Sequence, residues 1–184
     1  MWKLGDNLKI IEVGEGLLQF KFSMESQMMW VWNNGPWCFD NHLLALRRWE
    51  KGMSARSVTF LKQPFWIQVW GLPFDLINEE AGSDICRSIG ELVEVDCKAV
   101  NTNQSRFLRV HVEVPLNKPL RKGGSVISPE GELTRVAFRY ECLVGWCFNC
   151  EWIGHELKEC QSSIDDEDGG HSYREWLRAG TRGR

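Results

Sequence analysis

The stretch that most constrains this chain is Cys147-Phe148-Asn149-Cys150-Glu151-Trp152-Ile153-Gly154-His155-Glu156-Leu157-Lys158-Glu159-Cys160. Its spacing is C-x2-C-x4-H-x4-C. Three thiols and one imidazole are a complete tetrahedral donor set for Zn2+. They leave no position for an exchangeable water, so the spacing predicts one structural zinc ion held by Cys147, Cys150, His155 and Cys160. A stretch this short cannot bury a core, so the metal has to supply its folding free energy. Gly154, just before the histidine, can take a backbone conformation that a side chain would penalise. Two bland readings compete. Buried apolar thiols beside a surface histidine would not need this order of ligands. A redox C-x-x-C belongs at the start of a βαβ unit and leaves His155 and Cys160 without a role.

The chain has 184 residues, enough for one ordinary domain and an appendage or for two small domains. Hydrophobic and charged residues, 43% and 26%, are in the proportions of a globular protein. No apolar run reaches the length of a membrane span, and Met1-Trp2-Lys3-Leu4-Gly5-Asp6 is not a signal peptide, so the expected location is intracellular, nucleus or cytoplasm, with no membrane partner. The ten tryptophans are spread through the chain, which makes them core candidates as well as surface ones. Seven cysteines include three in the motif; Cys38, Cys86, Cys97 and Cys142 each sit in an apolar pattern and read as buried free thiols. The net charge of −3 argues mildly against nucleic acid, but the charge is segregated. Residues 71–97 are strongly acidic and residues 98–139 strongly basic, which puts a positive segment directly before the cysteines.

Periodicity predicts an α+β chain. Leu8–Val13 and Leu17–Phe22 read as a hairpin around Gly14-Glu15-Gly16. Ser23 reads as the cap of a helix over 24–33, stopped by Asn34-Gly35-Pro36, and 37–39 with 43–46 supply one further strand. That order is most of a βαββαβ sheet without its opening strand and helix, hence a truncated ferredoxin-like, RRM-like domain over 1–62. A β-rich α+β segment over 63–141 follows: a strand over 63–70, a helix capped by Asn78 and ending near Ile89, strands over 91–99 and 106–115, a basic loop over 118–124, and a hairpin around Pro129-Glu130-Gly131. Residues 142–161 hold the Cys/His motif. Residues 162–184 read as an acidic linker and a disordered tail with a short amphipathic patch at 173–179.

The Cys/His stretch resembles the retroviral-type CCHC zinc knuckle, a binder of single-stranded nucleic acid. That likeness implies base stacking on Phe148, with Leu157 completing the platform; it departs from the family in having Glu151 where glycine is usual. Several phrases upstream extend the likeness: Gly35-Pro36-Trp37-Cys38-Phe39-Asp40, Leu43-Leu44-Ala45-Leu46-Arg47-Arg48-Trp49, Pro64-Phe65-Trp66-Ile67-Gln68-Val69-Trp70-Gly71-Leu72-Pro73, Phe107-Leu108-Arg109-Val110 and Pro119-Leu120-Arg121. Together they resemble a plant family in which an N-terminal domain of unknown function, related to the RNA-recognition-motif fold, precedes a CCHC knuckle. That family is similar to the gag-like, nucleic-acid-binding part of retrotransposons. Relative to it, this chain looks like a copy without the opening strand and helix, and Arg174 stands where the tail usually has glycine.

The leading expectation is a non-enzymatic, zinc-dependent binder of single-stranded RNA or DNA. Bases would stack on Phe148 and Trp152, and phosphates would meet Arg106, Arg109, Arg121, Lys122 and Lys158. Trp152 serves equally well as packing for the knuckle, and Arg106 and Arg109 as outward-facing strand residues. A protein–protein interaction module with purely structural zinc is the second reading, favoured by Glu151 and the acidic linker. No nucleophile–base arrangement or phosphate-binding loop is present, so neither an enzyme nor a small-molecule substrate is expected.

Overall fold

The computed structural model describes residues 2, 4–40, 42–96, 106–128, 130–147, 149–155, 157–161 and 177–179. Strands β1 (Leu8–Gly14) and β2 (Leu17–Phe22) pair antiparallel. Glu15 and Gly16 join them at φ 57° and 70°, the left-handed pair of a tight hairpin turn. Helix α1 (Glu25–Asn33) follows. Its N-cap is Met24 without a side-chain hydrogen bond, not Ser23. Ser23 still belongs to the hairpin: its N–H donates to the Asn7 carbonyl at 2.9 Å. The single strand expected after the helix is two short ones, β3 (Trp37–Phe39) and β4 (His42–Leu44), folded back on each other at Asp40, φ 48°. Among the described residues the two pairs remain separate two-stranded sheets. The truncated ferredoxin-like sheet expected in 1–62 is therefore not formed. Among the described residues of this stretch Val31 is the one large apolar side chain that is fully buried, whereas Trp30, Trp32, Phe39 and Trp49 are exposed. Trp2, Phe20, Phe22, Met28, Met29 and Trp32 line an open apolar cleft.

A five-stranded antiparallel sheet occupies the middle of the chain: β5 (Lys62–Trp70), β6 (Glu91–Val95), β7 (Phe107–Pro115), β8 (Gly123–Ile127) and β9 (Leu133–Tyr140), in the spatial order β6-β7-β5-β9-β8. Helix α2 (Glu79–Cys86) lies between β5 and β6 in sequence. Asn78 caps it as expected, its Oδ1 accepting from the Ala81 N–H at 2.9 Å. It ends three residues earlier than the sequence suggests, because Ile89 and Gly90 both turn back onto the Cys86 carbonyl. At Gly90 a Cβ would fall 2.2 Å from the Glu113 carbonyl oxygen, so the chain can enter β6 this close to β7 only through glycine.

Alternation decides the two faces of the sheet. Phe65, Ile67 and Val69 of β5, Leu108, Val110, Val112 and Val114 of β7, and Val136, Phe138 and Tyr140 of β9 form the core with Ile85 and Cys86 of α2. Pro64 is tolerated within β5 because β9 pairs only with Ile67–Trp70, leaving the strand with a single neighbour at the proline. The opposite face carries the other parity: Trp66, Gln68 and Trp70 of β5 against His111, Arg109 and Phe107 of β7. The amphipathic patch of the tail also has a place in the sheet. Leu177 and Ala179 are buried, and the Ala179 N–H donates to the Tyr140 carbonyl at 3.0 Å, so 177–179 is docked rather than loose.

Candidate metal centre

Beyond Tyr140 the chain makes a narrow hairpin. Trp146 bridges Ile153, the Gly154 N–H donates to the Gly145 carbonyl at 2.7 Å, and Cys147 and Trp152 are joined by a main-chain hydrogen bond of 2.9 Å. Cys150 lies in the turn, which closes through Glu151 N–H to the Cys147 carbonyl at 2.9 Å. Two residues here have left-handed backbone. Gly154 takes φ 114°, which is why glycine precedes the histidine. Glu151 takes φ 66°, which gives a conformational reason for the glycine usual at that place. A short turn over Leu157–Glu159 then returns Cys160 to the cluster.

The result is a Cys3His set. One donor atom from each of Cys147, Cys150, His155 and Cys160 lies within 4.8 Å of all the others. The Cys150 Sγ and His155 Nε2 are 3.2 Å apart. Tetrahedral Zn2+ with bonds of about 2.0–2.3 Å puts its donors roughly 3.3–3.8 Å apart, so the four residues fit the ion. Asn149 Nδ2 donates to the Cys160 Sγ at 3.4 Å, an outer contact that holds the sulfur in place. Burial, and then hydrogen bonding to Cys147 and Cys160, raises the Cys150 thiol above its ordinary value. A dication reverses that preference, since thiolate is the ligand form. Cys147 is fully buried, and Trp146 beside it belongs to the core of the sheet, which anchors the hairpin. The Leu120 N–H adds a bond of 2.9 Å to the Glu151 carbonyl.

The side chains expected to meet nucleic acid fall into three groups. Trp152 and Leu157 are 39% and 41% exposed, so each offers a surface next to the metal cluster, and Lys158 is exposed beside them. Arg121, one residue beyond Leu120, is exposed too. The second group is ion-paired. Lys122 pairs with Glu151. Arg109 donates to Glu141 at 2.8 and 2.9 Å and to Asp96 at 3.1 Å. Its guanidinium carbon lies 3.6 Å over the Trp66 ring, which also stacks on His111 with centroids 4.5 Å apart. Burial by itself disfavours the Arg109 charge, but the two carboxylates outweigh it and raise the group above its ordinary value. Arg106 is the third. It precedes Phe107, which lies in one row across the sheet with Trp70, Ala137 and Gly123, so three strand spacings, roughly 14 Å, separate Phe107 from the residue after Lys122. Phe148 lies outside the described residues.

Sequence inspection did not find the Arg109–Trp66–Glu141 cluster. Its signal is an arginine and an indole on the same-parity face of two strands, and it becomes visible only once their register is known. The Lys122–Glu151 pair had half a signal, an acid in the place of a glycine, without its partner.

A closed Cys3His set on a tight hairpin is the site of a zinc knuckle, and residues 114–162 match the family model described as Zinc knuckle. Residues 1–57 match a second one, Domain of unknown function (DUF4283). The chain is 25% identical over 138 residues to a protein of Arabidopsis thaliana described as "Uncharacterized protein At4g02000". That alignment covers 75% of this chain and 43% of the relative, so the chain spans less than half the relative's length. No solved structure matches. No helix among the described residues is long and apolar enough to cross a membrane.

Proposed function

We propose that the chain binds one structural Zn2+ through Cys147, Cys150, His155 and Cys160 and uses the knuckle so formed to hold single-stranded RNA or DNA, without catalysis. The observation that carries this reading is the closed Cys3His set with a half-exposed indole, Trp152, and Leu157 beside it. A closed set gives the metal a structural role, and exposed flat apolar groups next to a cation suit unpaired bases and phosphates. Phe148, between the first two ligands, is the proposed stacking partner. Lys158 and Arg121 are the proposed phosphate contacts; Lys122 and Arg109 contribute less while Glu151, Glu141 and Asp96 hold them, and Arg106 would contact a ligand that crosses the sheet from Gly123 to Phe107. Two features support the same ligand class. One is the pairing of a DUF4283 match with a knuckle match, which fits a relative of plant retroelement gag-like proteins. The other is the strand order β6-β7-β5-β9 with α2 after the first strand, a ferredoxin-like order of the kind RNA-recognition modules use.

The test is a titration of zinc-loaded protein with single-stranded and duplex RNA and DNA at two salt concentrations. Preference for a single strand is expected, with a shallow salt slope of about −1.4, since each of two phosphate contacts adds about −0.7. Phe148→Ala should cost about 1–3 kcal/mol of affinity while zinc stays bound. No binding at low salt, or unchanged affinity for Phe148→Ala, contradicts the reading and leaves the protein–protein module as the use of the knuckle.

A further inference from the structure

Six cysteines are described, and they divide by environment. Three are the metal ligands. Cys86 is fully buried in the core, and burial pushes its thiol up to about 12, so it is inert. The remaining two, Cys38 and Cys142, are exposed rather than buried as their apolar neighbours suggest (Cys97 lies outside the described residues), and they meet although 104 positions separate them. The Cys38 thiol donates to the Cys142 carbonyl oxygen at 3.3 Å, and the Cys142 side chain is its hydrogen-bonding neighbour. A thiol in hydrogen-bond contact with a second cysteine is close to the spacing that a disulfide bond of about 2.05 Å requires. Cys142 sits at φ 55°, where the chain leaves β9.

We propose that Cys38 and Cys142 form a reversible disulfide that staples β3 to the exit of β9, just ahead of the first metal ligand. The oxidant is a small disulfide of the glutathione class. The Cys142 thiolate attacks one sulfur of that disulfide and displaces one small thiolate, which takes up a proton. Cys38 then gives up its proton and attacks the Cys142 sulfur, and the second small thiol leaves. Two protein thiols lose two electrons between them, and the small disulfide gains two. Cys38 is the later nucleophile because its contact with Cys142, and then burial, hold its thiol well above the ordinary range. The reaction is accordingly faster at alkaline pH.

The consequence is mechanical. Among its described residues the stretch containing β3 fully buries one large apolar side chain, Val31, and Leu43 packs partly buried against the core of the sheet. The staple closes a long loop, the case in which a cross-link restricts the unfolded chain most. It fixes the segment matching DUF4283 next to the segment that carries the knuckle.

The experiment uses the full zinc-loaded chain, treated with oxidised glutathione across a range of reduced-to-oxidised ratios. Remaining thiols are then alkylated and the digest is mapped by mass spectrometry. The expected result is a peptide pair joined through Cys38 and Cys142 within a single chain. It should be reversed by dithiothreitol and absent from Cys38→Ser and Cys142→Ser, with the zinc content of all three proteins equal. Oxidation should raise the unfolding midpoint of the wild type by on the order of 5–10 °C and leave both serine variants unmoved. Both cysteines remaining open to alkylation after oxidation, or linkage to other cysteines or to a second chain, overturns the proposal. Equal zinc content in the variants keeps that outcome separate from a failure of the metal reading.

Discussion

The five-stranded sheet and the knuckle sit side by side but are held by different forces. The sheet buries a continuous cluster: Phe65, Ile67, Leu108 and Tyr140 are wholly inaccessible, and Phe138 nearly so. Burying one such side chain stabilises by about 1.5–3 kcal/mol. The hairpin over 145–160 fully buries Trp146 and Cys147 alone among its described residues, and Trp146 belongs to the sheet's core rather than to one of its own. Under the proposed zinc reading it therefore depends on the metal. The sheet should tolerate loss of the ion, and the knuckle should tolerate moderate weakening of the sheet.

The largest effect tests that asymmetry. Cys150→Ser removes one ligand from a site whose ion contributes an apparent 10–16 kcal/mol in comparable small zinc modules. Hydrogen exchange should show residues 145–160 losing protection while β5, β7 and β9 keep theirs. Phe65→Ala is the converse. It should lower the stability of the sheet by about 3–5 kcal/mol in urea titration, with zinc still bound at zero denaturant. Equal loss of both regions in either variant would mean that they form one cooperative unit.

A smaller effect lies on the second face of the sheet. Glu141→Gln leaves Arg109 with Asp96 as its one carboxylate partner. All three side chains are 24–26% exposed, so the cost should be roughly 1–2 kcal/mol, below the 3–5 of a fully buried broken pair. Arg109→Met should suppress most of the loss in a double-mutant cycle. If Glu141→Gln costs nothing, the pair is a surface contact.

The smallest effect is a pH dependence. His111 is buried against Trp66, and its Nε2 has no hydrogen-bond partner. Burial lowers its pKa; Glu94 opposes that and Arg109 adds to it. The unfolded chain then binds a proton more readily than the folded one. Stability should be full above pH 6.5 and decline as pH falls below it towards the folded pKa. His111→Gln should flatten the profile between pH 7 and 5, and an unchanged slope would assign the acid sensitivity to other groups.

The parts of this molecule that were legible in the sequence are the local ones. The four ligands announce themselves because metal geometry needs them within one short stretch. The two left-handed residues of the first hairpin and the Asn78 cap are likewise written within a few positions. What was not legible depends on distant partners. Whether four short strands join one sheet or two is decided by pairing, so the first 62 residues were read as one sheet and form two. Gln68 reaches Glu141 across 73 positions and Arg109 reaches it across 32, so charge counting took Arg109 as a surface cation. The tail at 177–179 looked loose because the Tyr140 carbonyl that receives it is far upstream.

The most direct test of the central claim is native mass spectrometry of the full chain, paired with amide NMR before and after chelation. One zinc ion per chain is expected, with loss of dispersed signals confined to the neighbourhood of residues 145–160 and recovery on adding zinc back. A chain that takes up no zinc when refolded with it, or a knuckle spectrum that survives complete chelation, contradicts the account.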